Sequence, residues 1–106
     1  MICQLAPEMR KLIASVIKEV NTLSKEIYED YLEEYLETHK IDTLRTIIHQ
    51  NHQNQTDAAM ITALNGYYRQ KSQTDINRFK TGLMLVLYEL KRDNSDKFTE
   101  FVQKYT

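Results

Sequence analysis

Residues 9–36 read MRKLIASVIKEVNTLSKEIYEDYLEEYL, and this stretch decides the fold. Met9, Leu12, Ile13, Val16, Ile17, Val20, Leu23, Ile27, Tyr28, Tyr31, Leu32, Tyr35 and Leu36 recur every three or four positions, which is helical spacing and not strand alternation. No Gly or Pro interrupts the run. Its first half, Met9, Ile13, Val16, Val20, Leu23 and Ile27, steps by four and three in turn, as a coiled coil does. Beyond Ile27 that register fails, because its next positions are Asp30 and Glu34, and the apolar side moves to Tyr28, Tyr31, Leu32, Tyr35 and Leu36. At 100° per residue the stripe rotates by about 60–70° between the halves. Asn21, Thr22 and Ser24, modest helix formers whose side chains cap or bend, lie at the join. The preferred reading is one long or gently kinked helix, with two helices meeting near residues 21–25 as the alternative.

Outward from this spine the helical pattern continues. Pro7 suits a first helical turn and Glu8 beside it complements the helix dipole. Asp42 opens a short helix carrying Leu44, Ile47 and Ile48, which dissolves into the polar connection His49-Gln50-Asn51-His52-Gln53-Asn54-Gln55. Thr56 or Asp57 caps a helix with Ala59, Met60, Ala63, Leu64, Tyr67 and Tyr68, which Asn65-Gly66 either ends or sits inside. Thr74 or Asp75 caps the most apolar helix, Ile76, Phe79, Leu83, Val86, Leu87 and Leu90, the expected centre of the molecule. Asp93-Asn94-Ser95 breaks it, and Ser95 caps a last helix presenting Phe98, Phe101, Val102 and Tyr105. The expected fold is all-α, a compact bundle of about five helices, or six if the spine divides, in a single domain over residues 1–106.

Bulk properties agree. A chain of 106 residues with 42% apolar and 27% charged side chains is one ordinary globular domain with room for a real core. Two Gly and one Pro leave few turn-makers for an all-β fold. Net charge is −1, but residues 1–39 hold four basic and eight acidic side chains while residues 40–106 hold ten and seven. Such polarity orients a charged partner or stacks copies head to tail. Cys3 is alone and suits a reducing compartment, no secretory signal is visible, and the longest apolar run, Gly82 to Tyr88, is too short to span a bilayer. A cytoplasmic location away from membranes is expected.

Candidate chemistry is sparse. His39, His49 and His52 are the only histidines, there is no HExxH, CxxC or Glu-x-x-His motif, and His49 and His52 read as two solvated imidazoles beside a polar loop, so neither metal nor cofactor is expected. Arg45 and His52 stand in an R-x6-H spacing that resembles the HEPN ribonucleases, in which a helical Arg and His act on RNA at a dimer interface. The resemblance covers those two residues, with Thr46 in place of the polar residue usual after the Arg. It implies an active pair of Arg45 and His52. Neither a nucleophile elbow nor a Gly-rich phosphate loop exists, and the chain is read as a non-enzyme.

Two surfaces remain. Glu26, Glu29, Asp30, Glu33, Glu34 and Glu37 crowd twelve residues edged by Tyr28, Tyr31 and Tyr35. Tyrosine adds large contact area with a polar tip, so Glu26, Tyr28, Glu29, Tyr31, Glu33 and Tyr35 form a candidate epitope for another, basic, protein. In mirror image, Tyr67, Tyr68, Arg69, Lys71, Arg78 and Lys80 interleave cations and aromatics as a nucleic-acid patch does. The leading expectation is a small protein-binding module of the regulator, inhibitor, immunity or adaptor kind. Self-association through Met9 to Ile27 is a second use of the spine, and nucleic-acid binding is the contrasting reading.

Overall fold

Where Asn21, Thr22 and Ser24 weaken the spine, the chain leaves the helix. The computed structural model describes residues 5–38, 42–49, 57–69 and 72–105, all helical apart from short joins. α1 (Pro7–Thr22) ends at Leu23, whose backbone is extended at φ −73°, ψ 127°. Ser24 then caps α2 (Lys25–Thr38), its Oγ accepting from the Ile27 N–H at 3.2 Å. The spine is thus two helices and not one. The shift of register marks a break because two stripes 60–70° apart reach one core more easily after a turn than along a straight rod.

α3 (Asp42–His49), α4 (Asp57–Arg69), α5 (Gln73–Asp93) and α6 (Ser95–Tyr105) follow, giving six helices and no strand among the described residues. Pro7 sits in the first turn of α1, where Ala6 offers no side-chain cap. The Ala6 N–H donates instead to Asn65 Oδ1 on α4 at 3.0 Å. Asn65 and Gly66 lie inside α4 and do not end it. Ser72, and not Thr74 or Asp75, caps α5: its Oγ accepts from the Asp75 N–H at 3.3 Å and donates to Asp75 Oδ2 at 3.0 Å. Asp75, at the third helical position, thus gives its N–H to the Ser72 hydroxyl and accepts that hydroxyl's proton on its carboxylate, which holds the cap in place. Asn94, and not Ser95, separates the last two helices. Its N–H closes α5 onto the Leu90 carbonyl at 2.7 Å, and its Oδ1 accepts from Lys97 N–H to open α6.

α5 is the axis of the molecule, packed against by α1, α2, α3 and α6. Phe79, Leu83, Leu85, Val86 and Leu87 are at most 2% exposed, and Gly82, Met84, Glu89 and Leu90 are buried with them. Such all-round burial is what an uninterrupted apolar run in a helix implies. Gly82 makes room for α2: a Cβ there would lie 2.5 Å from the Tyr35 hydroxyl and 2.8 Å from its ring carbon. From α1, Met9, Ile13, Val16 and Val20 are at most 1% exposed. From Met9 to Val20 the coiled-coil-like stripe is therefore spent on the chain's own core. Ile27, the last member of that stripe, is 48% exposed. No described helix is long and apolar enough to cross a membrane.

Candidate functional site

α2 presents two faces of different character. Its inner face carries Tyr28, 4% exposed, whose ring stacks on Tyr88 with centroids 4.4 Å apart. The Tyr28 hydroxyl donates to Glu89 Oε2, and Glu89 is the single buried charged residue among those described. From α3, Arg45 grips the same carboxylate with two bonds, Nε to Oε1 at 2.9 Å and Nη2 to Oε2 at 2.7 Å. Three helices are joined at one carboxylate. Planar two-point pairing is the strong form of this contact, and a buried carboxylate needs it because burial without partners is costly.

The ionisation of the cluster follows from this geometry. Burial lifts the Glu89 carboxyl, but the hydrogen bonds from Arg45 and Tyr28 and the charge of Arg45 outweigh it, so the group sits below its ordinary value. Burial, then the hydrogen bond and charge of Glu89, push the Tyr28 phenol up to about 12. The hydrogen bond to Glu89 holds Arg45 above its ordinary value. Both carboxylate oxygens are occupied and the phenol stays neutral, so the cluster ties α2, α3 and α5 together. Arg45, half of the R-x6-H pair, is committed to Glu89, and His52 lies outside the described residues. His49 is half-buried and not freely solvated, its Nε2 placed 3.1 Å from the Val86 carbonyl oxygen. Cys3 and His39 also lie outside the described residues.

The outer flank of α2 is the opposite. Ile27 and Tyr31 are the two large hydrophobic residues left exposed among those described, at 48% and 43%. Four positions apart, they stand side by side on the helix, and Asp30 and Glu34 fall on the same side by the same spacing. Both line an open cleft of about 360 Å³ at the α1–α2 join, with Glu19, Thr22 and Leu23 from the end of α1 and Thr81 and Met84 from α5. Glu26, Glu29 and Glu33 are exposed further round the helix. The structure thus divides the expected acidic-tyrosine surface. Tyr28 and Tyr35, 4% and 6% exposed, belong to the core and cannot meet a partner, because each turns to α5. Tyr31 keeps its place beside the carboxylates. Ile27, which spacing alone assigned to the apolar stripe, joins it. The signal available in the sequence was a hydrophobic residue at the end of the first register, where the apolar side moves away from it.

The basic-aromatic surface is less coherent. Tyr68 is half-buried and Arg69 exposed, while Lys71 and the Tyr67 side chain lie outside the described residues. Arg78 Nη1 is 4.0 Å from Asp75 Oδ1, and Lys80 Nζ is 3.8 Å from Glu19 Oε1. Both cations have carboxylates of their own chain beside them, and Phe79 between them is buried. Comparison with protein-family models, curated proteins and solved structures finds no match to this chain in any of the three.

Proposed function

We propose that this chain is a non-enzymatic protein-binding module, of the regulator, inhibitor, immunity or adaptor kind, that works through the outer flank of α2 and the cleft beside it. The observation that carries the reading is the exposure of Ile27 and Tyr31 together at the mouth of one cleft, where the other large apolar side chains described are buried or partly buried. Single exposed hydrophobics are ordinary, but an apolar pair at a concavity with a polar rim is how interaction sites are built. The mutual pairing of Tyr28, Arg45 and the buried Glu89 supports a non-catalytic role, since these perturbed groups are taken up by one another. A lone cysteine is consistent with work in the cytoplasm.

Nucleic-acid binding through Tyr68, Arg69, Arg78 and Lys80 has weaker support, because two of its cations stand beside Asp75 and Glu19. It requires a salt-sensitive shift of a generic duplex or single strand at low ionic strength, and no shift removes it. The test of the leading reading uses the immobilised chain in an extract of its native host. Ile27→Ser with Tyr31→Ser is expected to keep the helical circular-dichroism spectrum and lose at least one protein that the parent recovers. Identical recovery by parent and variant contradicts this surface.

A further inference from the structure

We infer that the cleft beside Ile27 and Tyr31 receives a cationic amphipathic helix of a partner protein, an inference that rests on the protein-binding reading above. The chemistry of the rim chooses the sign. α2 carries six carboxylates and one lysine, Lys25. Glu26, Glu29, Asp30 and Glu33 are exposed, and none has an ion-pair partner among the described residues. A surface with that excess of one sign attracts the opposite sign and repels its own.

The apolar part chooses the shape. Ile27 and Tyr31 are separated by four residues, about 6 Å along the helix axis. Leu23 and Met84 extend the apolar lining, while Glu19, Thr22 and Thr81 supply polar edge. An apolar strip of one-turn repeat is matched by another helix whose apolar residues recur at three and four, the helix-in-groove mode of recognition. Lysines or arginines flanking that stripe then face the carboxylates of α2.

A second copy of this chain fits poorly as the occupant. Five of its cations already stand beside carboxylates of their own chain: Arg45 with Glu89, Arg78 with Asp75, Lys80 with Glu19, Arg92 with Asp93 and Lys104 with Glu100. Its own most regular apolar stripe, on α1, is buried. A partner helix with an exposed apolar stripe flanked by cations matches the cleft better.

The test titrates the chain with a fluorescent model peptide of leucine and lysine, about 18 residues or five turns long, patterned as an amphipathic helix. Two controls accompany it: the same pattern with glutamate for lysine, and the same composition scrambled so that no stripe forms. The patterned lysine peptide is expected to bind, more weakly as salt is raised, while the glutamate peptide does not and the scrambled one binds about tenfold less tightly. Asp30→Lys with Glu33→Lys, and separately Ile27→Ser with Tyr31→Ser, are each expected to lower affinity about tenfold with the helical spectrum unchanged. Equal binding of the scrambled peptide, or indifference to either pair of substitutions, overturns the inference. So does a concentration-dependent dimer, in analytical ultracentrifugation, that Ile27→Ser with Tyr31→Ser abolishes, since a second copy then fills the cleft. If the host partner depends on Ile27 and Tyr31 but the lysine peptide does not bind, the cationic helix is wrong and the surface stands. If neither is seen, both are wrong.

Discussion

Tyr28 and Tyr31 stand one turn apart on α2, yet one is 4% exposed and the other 43%. The residue type is the same and the helix is the same. What differs is what each hydroxyl and ring can reach. Tyr28 meets the Glu89 carboxylate and the face of Tyr88, so its polar tip is satisfied inside the molecule. Tyr31 lies on the flank and, with Ile27, opens onto a cleft. One face of α2 is committed to holding the fold, and the neighbouring face is exposed. Substitutions on the inner face should therefore change stability, and substitutions on the outer flank should change binding.

The largest expected effect comes from removing the carboxylate that joins three helices. Glu89→Ala leaves the Arg45 guanidinium and the Tyr28 hydroxyl without their acceptor, and should cost about 2–3 kcal/mol in urea unfolding. The figure lies below the range for fully buried pairs because the Arg45 side chain is 34% exposed. Tyr28→Phe removes one hydrogen bond to a charged group and should cost about 1.5–2 kcal/mol by the same measurement. Gly82→Ala gains helix propensity, worth up to about 1 kcal/mol, but drives a methyl into Tyr35, so the net loss should be about 1 kcal/mol. Tyr31→Ser and Ile27→Ser should each stay within about 0.5 kcal/mol of the parent. A Tyr31→Ser loss as large as that of Tyr28→Phe would erase the distinction between the two faces.

Acid and alkali each test the inner face, through Glu89 and Tyr28. Glu89 is held below its ordinary value in the folded chain, so its contribution is complete above the unfolded carboxyl value, about 4.3, and is lost as pH falls through the lower folded value. Tyr28 is raised, so its contribution is complete below the unfolded phenol value of 10.0 and is lost as pH climbs towards about 12. Unfolding midpoints measured from pH 9 to 12 should fall more steeply in the parent than in Tyr28→Phe.

Much of the architecture was legible in the chain. Spacing placed α3 to α6 and marked α5 as the buried axis, because an apolar run that fills all sides of a helix has one place to go. The register shift after Ile27 located the join between α1 and α2, but propensity alone did not show that the helix breaks there. The break depends on Ser24 turning its hydroxyl onto the Ile27 N–H, a choice that tertiary packing makes. The caps of α5 and α6 fell one to three residues earlier than read, on Ser72 and Asn94, since several adjacent polar residues are equally able to cap. Glu89 was the least legible. A carboxylate in the midst of Leu85, Val86, Leu87 and Leu90 signals a buried partner, but nothing in the spacing identifies Arg45 or Tyr28 across 44 and 61 residues. The outer surface was legible as an acidic face with tyrosines. Which tyrosine faces outward was not, because residues three and four apart share a side and the core takes the nearer ones.

The most direct measurement is a map of amide chemical-shift changes across the folded chain on adding the patterned lysine peptide. Saturable changes concentrated at residues 22–34 of the α1–α2 region and at Thr81 to Met84 of α5, with Glu89 and Arg45 little moved, are the expected result. Changes centred instead on Arg69 and Arg78, or spread evenly over the molecule, would contradict a binding surface on the outer flank of α2.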